Sequence, residues 1–243
     1  MEFVLHFLYC VAISKAHPDW KTYTPLQLSM LAYFNLHVLW LKLLLPWRFF
    51  RLWALVDGID PPENMVRCLS DNPSAVAFWR GWHRSFNRWI IRYIYIPLGG
   101  SGKGTPAWRA GLNYLAVFTF VALWHDINLN LLIWGWLIVF FMLPEILAQL
   151  AFPASLPIFK RHPDWHRYLA GVGVAMNMMM MMIANMTGFV VGWDGTKEFV
   201  RGIGSSWAGW GLIMASTATI FVGAQVMFEW RQSERRRGVE MKC

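Results

Sequence analysis

Two histidines and an asparagine stand in strongly apolar company. In the stretch from Phe78 to Asp126, FWRGWHRSFNRWIIRYIYIPLGGSGKGTPAWRAGLNYLAVFTFVALWHD, His83 and Asn87 lie four residues apart and His125 closes a long apolar run. Polar groups in hydrocarbon are costly and need a partner or a function. A neutral imidazole near pH 7 can take a proton from a hydroxyl and pass it to a leaving group, so His125 is a candidate general base. His83 and Asn87 could orient it, or hold a carbonyl oxygen as negative charge develops there. Hydrogen bonding between helices is the other role open to them. No serine or cysteine stands beside a local base in a nucleophile motif, so a covalent intermediate on the protein is not expected.

The same stretch carries Arg80, Arg84, Arg88 and Arg92, one every fourth residue, and Lys103 in the loop Gly99-Gly100-Ser101-Gly102-Lys103-Gly104. On a single helix the arginines form a slowly drifting stripe. Their guanidinium groups could fork onto the phosphates of an anionic donor. Equally, arginines among tryptophans at an interface snorkel toward lipid headgroups. Lys103 has the same two roles open. No zinc spacing occurs, and no metal is expected.

These side chains need a membrane scaffold. Of 243 residues, 56% are hydrophobic and 15% charged, which is too apolar for a soluble domain and points to an all-α protein with several spans. Sixteen Trp and seven Tyr suit many membrane–water interfaces. The net charge of +8 is spread between the apolar runs, as in positive-inside loops, and nucleic acid is not an expected partner. Cys10, Cys68 and Cys243 are too scattered for a disulfide framework.

We read residues 1–243 as a single membrane domain. Spans are expected at about 26–45, 112–127, 129–150, 168–191 and 209–230. Interfacial or re-entrant helices are expected at about 47–57 and 75–95. The segments 152–167 and 192–207 read as loops. Asn35 and His37 lie within the first span, and hydrogen bonds to a neighbouring helix are the plain expectation for them. The run Met178 to Met182 suits either a packing helix or an acyl-chain wall. Glu145, beside Pro144, reads as a helix-end residue with no part in the site. With the basic tail on the cytosolic side, alternation puts 152–167 and 46–110 on the same side, and 14–25 and 192–207 on the opposite one.

The run FWRGWHRSFNRWIIRYIYIPLGG, followed by ALWHD, resembles the membrane-bound O-acyltransferase (MBOAT) superfamily. Together with LKLLLPWRFFRLWALVDGIDPPENM it is most similar to the fungal glycerol-uptake type, related to the Hedgehog-acyltransferase branch. The resemblance implies that His125 is the superfamily's histidine and that its polar partner is His83 or Asn87. It implies acyl-CoA as co-substrate, with no permanently bound cofactor, and a lipid hydroxyl as acceptor. For the fungal type it implies a multi-pass endoplasmic reticulum protein that re-acylates the lyso-lipid of glycosylphosphatidylinositol (GPI) anchors. Under that reading Arg80, Arg84, Arg88 and Lys103 hold the donor. Members of this type carry several further N-terminal helices, so the chain is expected to be the C-terminal portion of the fold. Glycerol transport, or an accessory role in glycerol uptake, is the runner-up, and a catalytically inactive truncated scaffold the third reading.

Overall fold

The computed structural model describes residues 2–100 and 106–239. Its elements are α1 (Glu2–Leu5), α2 (Cys10–Ala16), a 3-10 turn (Trp20–Thr22), α3 (Pro25–Val56), α4 (Ala75–Gly81), α5 (Arg84–Ile90) running into a π-helical segment (Ile91–Tyr95), α6 (Ala107–His125), α7 (Leu129–Ala151), α8 (Pro157–Arg161), α9 (Pro163–Phe189), α10 (Gly192–Ser205) and α11 (Trp207–Arg236). No strand occurs among the described residues. The all-α polytopic architecture expected from composition is the one observed. Four helices, α3, α7, α9 and α11, are long and apolar enough to cross a membrane. α6 is not among them.

α3 starts where its capping box dictates. The Thr24 hydroxyl accepts from Gln27 N–H, the Gln27 side chain accepts from Thr24 N–H, and Pro25 takes the first helical position. It then continues through Pro46 for 32 residues, about 48 Å at the usual rise. The separate interfacial helix expected at 47–57 is therefore the second half of α3. Its arginines are tied to the following loop by Arg48–Glu63 and Arg51–Asp60 ion pairs, 2.8 and 2.9 Å long.

α9 is the spine. On one side Met186 and Val190 pack with Leu28, Leu31 and Ala32 of α3 and Phe199 of α10. On the other, Ala184 packs with Phe118 of α6, Trp134, Ile138 and Met142 of α7, and Ala75 of α4. Met182 lies against the first of these clusters and Met181 against the second, so both methionines are packing residues between layers. Two glycines set the helix spacing. A Cβ at Gly135 would meet the Phe118 carbonyl oxygen at 2.8 Å, and one at Gly188 would meet the Trp134 side chain at 2.8 Å. Small residues at such crossings let membrane helices approach closely.

The segment 192–207, expected as a loop, is the helix α10. Its polar and apolar faces are sharply separated: Thr196 and Phe199 are buried, while Lys197, Val200 and Arg201 are exposed. Short glycine-containing amphipathic helices are easily read as loops, because the apolar stripe is only two turns long. α11 shows a continuous outward stripe of Trp207, Trp210, Met214, Val222, Val226 and Trp230. Tryptophans at its two ends stand about 35 Å apart along the axis, matching the interfaces of a bilayer. Asn35 does what was expected of it, donating from its buried amide to Cys10 O and Ser14 Oγ, both at 3.0 Å. His37 bonds Tyr33 O at 2.8 Å and Ser70 Oγ at 3.0 Å.

Candidate active site

The segment 75–95 is a helical hairpin, where one continuous helix was expected. Its first arm, α4, is capped by Ser74, whose hydroxyl accepts from Ala77 N–H at 3.1 Å. Trp79 on this arm packs edge-on against Phe118 and Trp134, with centroids 5.7 and 5.8 Å away. The chain then turns at Trp82, which is extended, and His83, which is left-handed at φ 46°, ψ 58°. A non-glycine residue at positive φ is uncommon, though histidine is among those enriched there. Such a conformation persists only where the surroundings hold it in place.

Those surroundings are visible. Asn64, in the loop after α3, accepts from Arg84 N–H through its carbonyl at 3.1 Å and from Ser85 N–H through its side chain at 2.9 Å. These bonds satisfy two of the orphan donors that open α5. Trp47 of α3 covers the turn, with its ring 4.9 Å from that of His83. The second arm then runs antiparallel to α6. Phe86 stacks on Trp124 at 4.3 Å, Trp89 on Phe120 at 6.1 Å, and Tyr95 lies 5.3 Å from Tyr114. The Pro-Leu-Gly-Gly turn ends the arm. Gly99 and Gly100 both have positive φ, and buried Asn113 donates to Gly100 O at 2.9 Å.

The hairpin brings its tip to the end of α6. His125 is the last residue of that helix, with its ring set among Trp124 at 5.0 Å, Phe189 at 5.6 Å and Trp134 at 5.7 Å. Neither of its nitrogens hydrogen-bonds another described residue, and the side chain stays open on one side. The imidazole of His83 lies within Coulombic reach of it. Burial pushes His83 below the ordinary histidine range. Its Nδ1 is 3.3 Å from Ser85 Oγ. Asp126 accepts from Ile127 N–H at 2.8 Å.

Asn87 is placed differently from His83. Its amide donates to the Trp79 carbonyl at 2.9 Å, filling an acceptor that the end of α4 leaves open and tying the hairpin's arms together. The arginines do not form the single stripe expected. The break at Trp82–His83 puts Arg80 on one arm and Arg84, Arg88 and Arg92 on the other. None of these four is ion-paired among the described residues, whereas Arg48, Arg51, Arg67, Arg167, Arg201 and Arg231 all are. Lys103 lies outside the described residues. A shallow notch on the 3-10 turn and α10, lined by Asp19, Trp20, Lys21, Asp194 and Glu198 among others, contains none of the candidate catalytic residues.

One residue was misread from the sequence. Glu145 lies within α7, and its carboxylate accepts from Ser74 Oγ, from Ala75 N–H at 2.9 Å, from Asn177 Nδ2 at 2.6 Å and from Gln149 Nε2 at 3.2 Å. An acidic residue inside an apolar run was the available signal.

Comparison with known proteins agrees with the sequence resemblance. The model of the membrane-bound O-acyltransferase family matches residues 1–193. The whole chain is 55% identical over 245 residues to membrane-bound O-acyltransferase GUP1 of Millerozyma farinosa, covering 46% of that protein. It is 51% identical over 245 residues to the GUP1 protein of Saccharomyces cerevisiae, covering 41% of it. A more distant similarity, 28% over 190 residues, reaches mouse protein-cysteine N-palmitoyltransferase HHAT, across 76% of this chain and 37% of that one. The chain thus spans less than half the length of these relatives.

Proposed function

We propose, for a chain that belongs to the membrane-bound O-acyltransferase family, that it carries the reacting residues for acyl transfer from acyl-CoA to a lipid hydroxyl. The observation that supports this most is the free imidazole of His125, fixed among three aromatic rings and facing the hairpin tip that carries His83. A base needs an unoccupied nitrogen that an acceptor hydroxyl can reach, and this is such a group.

The reaction then runs as follows. His125 takes the proton of the acceptor hydroxyl, and the oxygen attacks the thioester carbonyl. His83, whose charge state His125 senses, stabilises the negative charge on the tetrahedral oxygen. As that intermediate collapses, the C–S bond breaks and the coenzyme A sulfur leaves, taking the proton back from the His125 imidazolium. Asn87 acts on the hairpin through the Trp79 carbonyl. Arg80, Arg84, Arg88 and Lys103 receive the donor's phosphates, a role that fits arginines with no ion pair among the described residues. For the acceptor, we propose the lyso-lipid of a GPI anchor in the endoplasmic reticulum membrane.

The test uses membranes carrying the protein, labelled palmitoyl-CoA and lyso-GPI or lysophospholipid acceptors. The Millerozyma farinosa relative is assayed in parallel, with its matching histidine replaced. Replacing His125 by Ala is expected to lower transfer by about 10²-fold or more. Equal transfer by wild type and variant removes the base assignment. Donor binding without turnover in either protein favours an inactive scaffold, and glycerol flux without acylation favours a transporter.

A further inference from the structure

The Glu145 carboxylate joins three elements that are remote in sequence. Its own helix is α7. Ser74 Oγ and Ala75 N–H belong to the first turn of α4, and Asn177 belongs to α9. A partly buried ionisable group inside an apolar helix is expensive, and four donors on one carboxylate are how the cost is offset. The amide at the start of α4 has no helical acceptor of its own, and the helix end carries partial positive charge. A carboxylate from a neighbouring helix answers both.

The consequence reaches the candidate site through α4. This arm is only seven residues long and too short to be stable by itself. Glu145 holds its first residue, and Trp79 seats its middle on Trp134, which is also a wall of the His125 setting. Its end is the left-handed His83. We infer that Glu145 is a positioning residue for His83, anchoring the base of the hairpin so that its tip stands at His125. This rests on the reading of His83 as part of an acyl-transfer site.

Two measurements on the protein in its membrane test it. In the first, Glu145→Gln, which keeps side-chain size but gives up one of the two acceptor oxygens, is followed by hydrogen exchange. Exchange across 75–83 is expected to rise about tenfold while 107–125 stays unchanged, since the fault is local opening. A Ser74→Ala variant, which leaves the Glu145–Ala75 bond, is expected to rise less. Unchanged exchange at 75–83, or a rise over the whole chain, overturns the inference.

The second measurement is kinetic. Glu145→Gln is expected to lower kcat about tenfold with KM for acyl-CoA within about twofold, and Glu145→Asp to recover part of the loss. Combined with His83→Ala, it is expected to add nothing further, because both act through the same group. Losses that multiply, or no loss, overturn the inference. A wild-type chain that transfers no acyl group counts against the acyl-transfer reading instead, and the exchange experiment then decides the hold of Glu145 on the hairpin alone.

Discussion

The amide of Asn87 reaches back across the break between two helices and donates to the carbonyl of Trp79, 2.9 Å away. The contact is made by Nδ2, so one of the two amide N–H groups is committed to the protein, leaving the other N–H and the oxygen. Asn87 and His83, equivalent by spacing, therefore differ in what they are free to do.

This commitment orders a pair of substitutions. Asn87→Ala loses one hydrogen bond and leaves a carbonyl unpaired, a cost of about 1–2 kcal/mol. Asn87→Asp sets a carboxylate against that carbonyl and is expected to be worse, in thermal midpoint and in acyl transfer alike. Were the side chain used mainly as an acceptor toward substrate, Asp would be the milder change. Melting curves and transfer rates of the two variants decide between these orders.

A second expectation concerns the end of α11. Arg67 makes a forked pair with Glu234, at 3.0 and 2.7 Å, and both side chains are nearly buried, 12% and 13% exposed. Arg231 makes a matching contact with Asp71 at 2.8 Å. Together they clasp the loop that leads into Ser74 and α4. Glu234→Ala removes the forked bonds and leaves Arg67 its longer contact with Asp71 at 3.8 Å, and is expected to cost about 2 kcal/mol. The check is the thermal midpoint, with faster hydrogen exchange expected over 65–74 and at the end of α11. A shift below about 0.5 kcal/mol would show that the clasp is dispensable.

The third concerns pH. Burial lowers the pKa of His83 in the folded protein relative to the unfolded chain. The folded state therefore binds fewer protons than the unfolded one once pH drops below the ordinary histidine value of about 6.5. Stability from keeping this group neutral is fully present above that value and is lost as pH falls through the lowered one. The thermal midpoint is expected to fall as pH drops below about 6.5, and less steeply in His83→Gln. Identical profiles for wild type and variant would remove His83 as the source.

What the sequence determined by itself is the material of the bundle. Long apolar runs with tryptophans at their ends can only be membrane helices, and α7, α9 and α11 lie close to where periodicity put them. The Thr24-Pro25-x-Gln27 start of α3 and the Gly99-Gly100 turn were equally readable, because both depend on neighbouring residues. So was the chemistry of His125, which follows from what an imidazole can do.

Only the tertiary structure decided the hairpin. Nothing within WRGWHRSF compels a break at His83: its residues tolerate a helix, and glycine stands two positions too early. The break is held by groups distant in the chain, with Asn64 capping α5, Trp47 covering the turn and Glu145 capping α4. Local propensities are worth tenths of a kcal/mol per residue, and contacts of this kind outweigh them. For the same reason the arginine stripe divides between two arms, and Glu145, which reads as a helix end, becomes the junction of three helices. Sequence names the reacting groups, whereas the distances between them depend on partners that only the folded chain assembles.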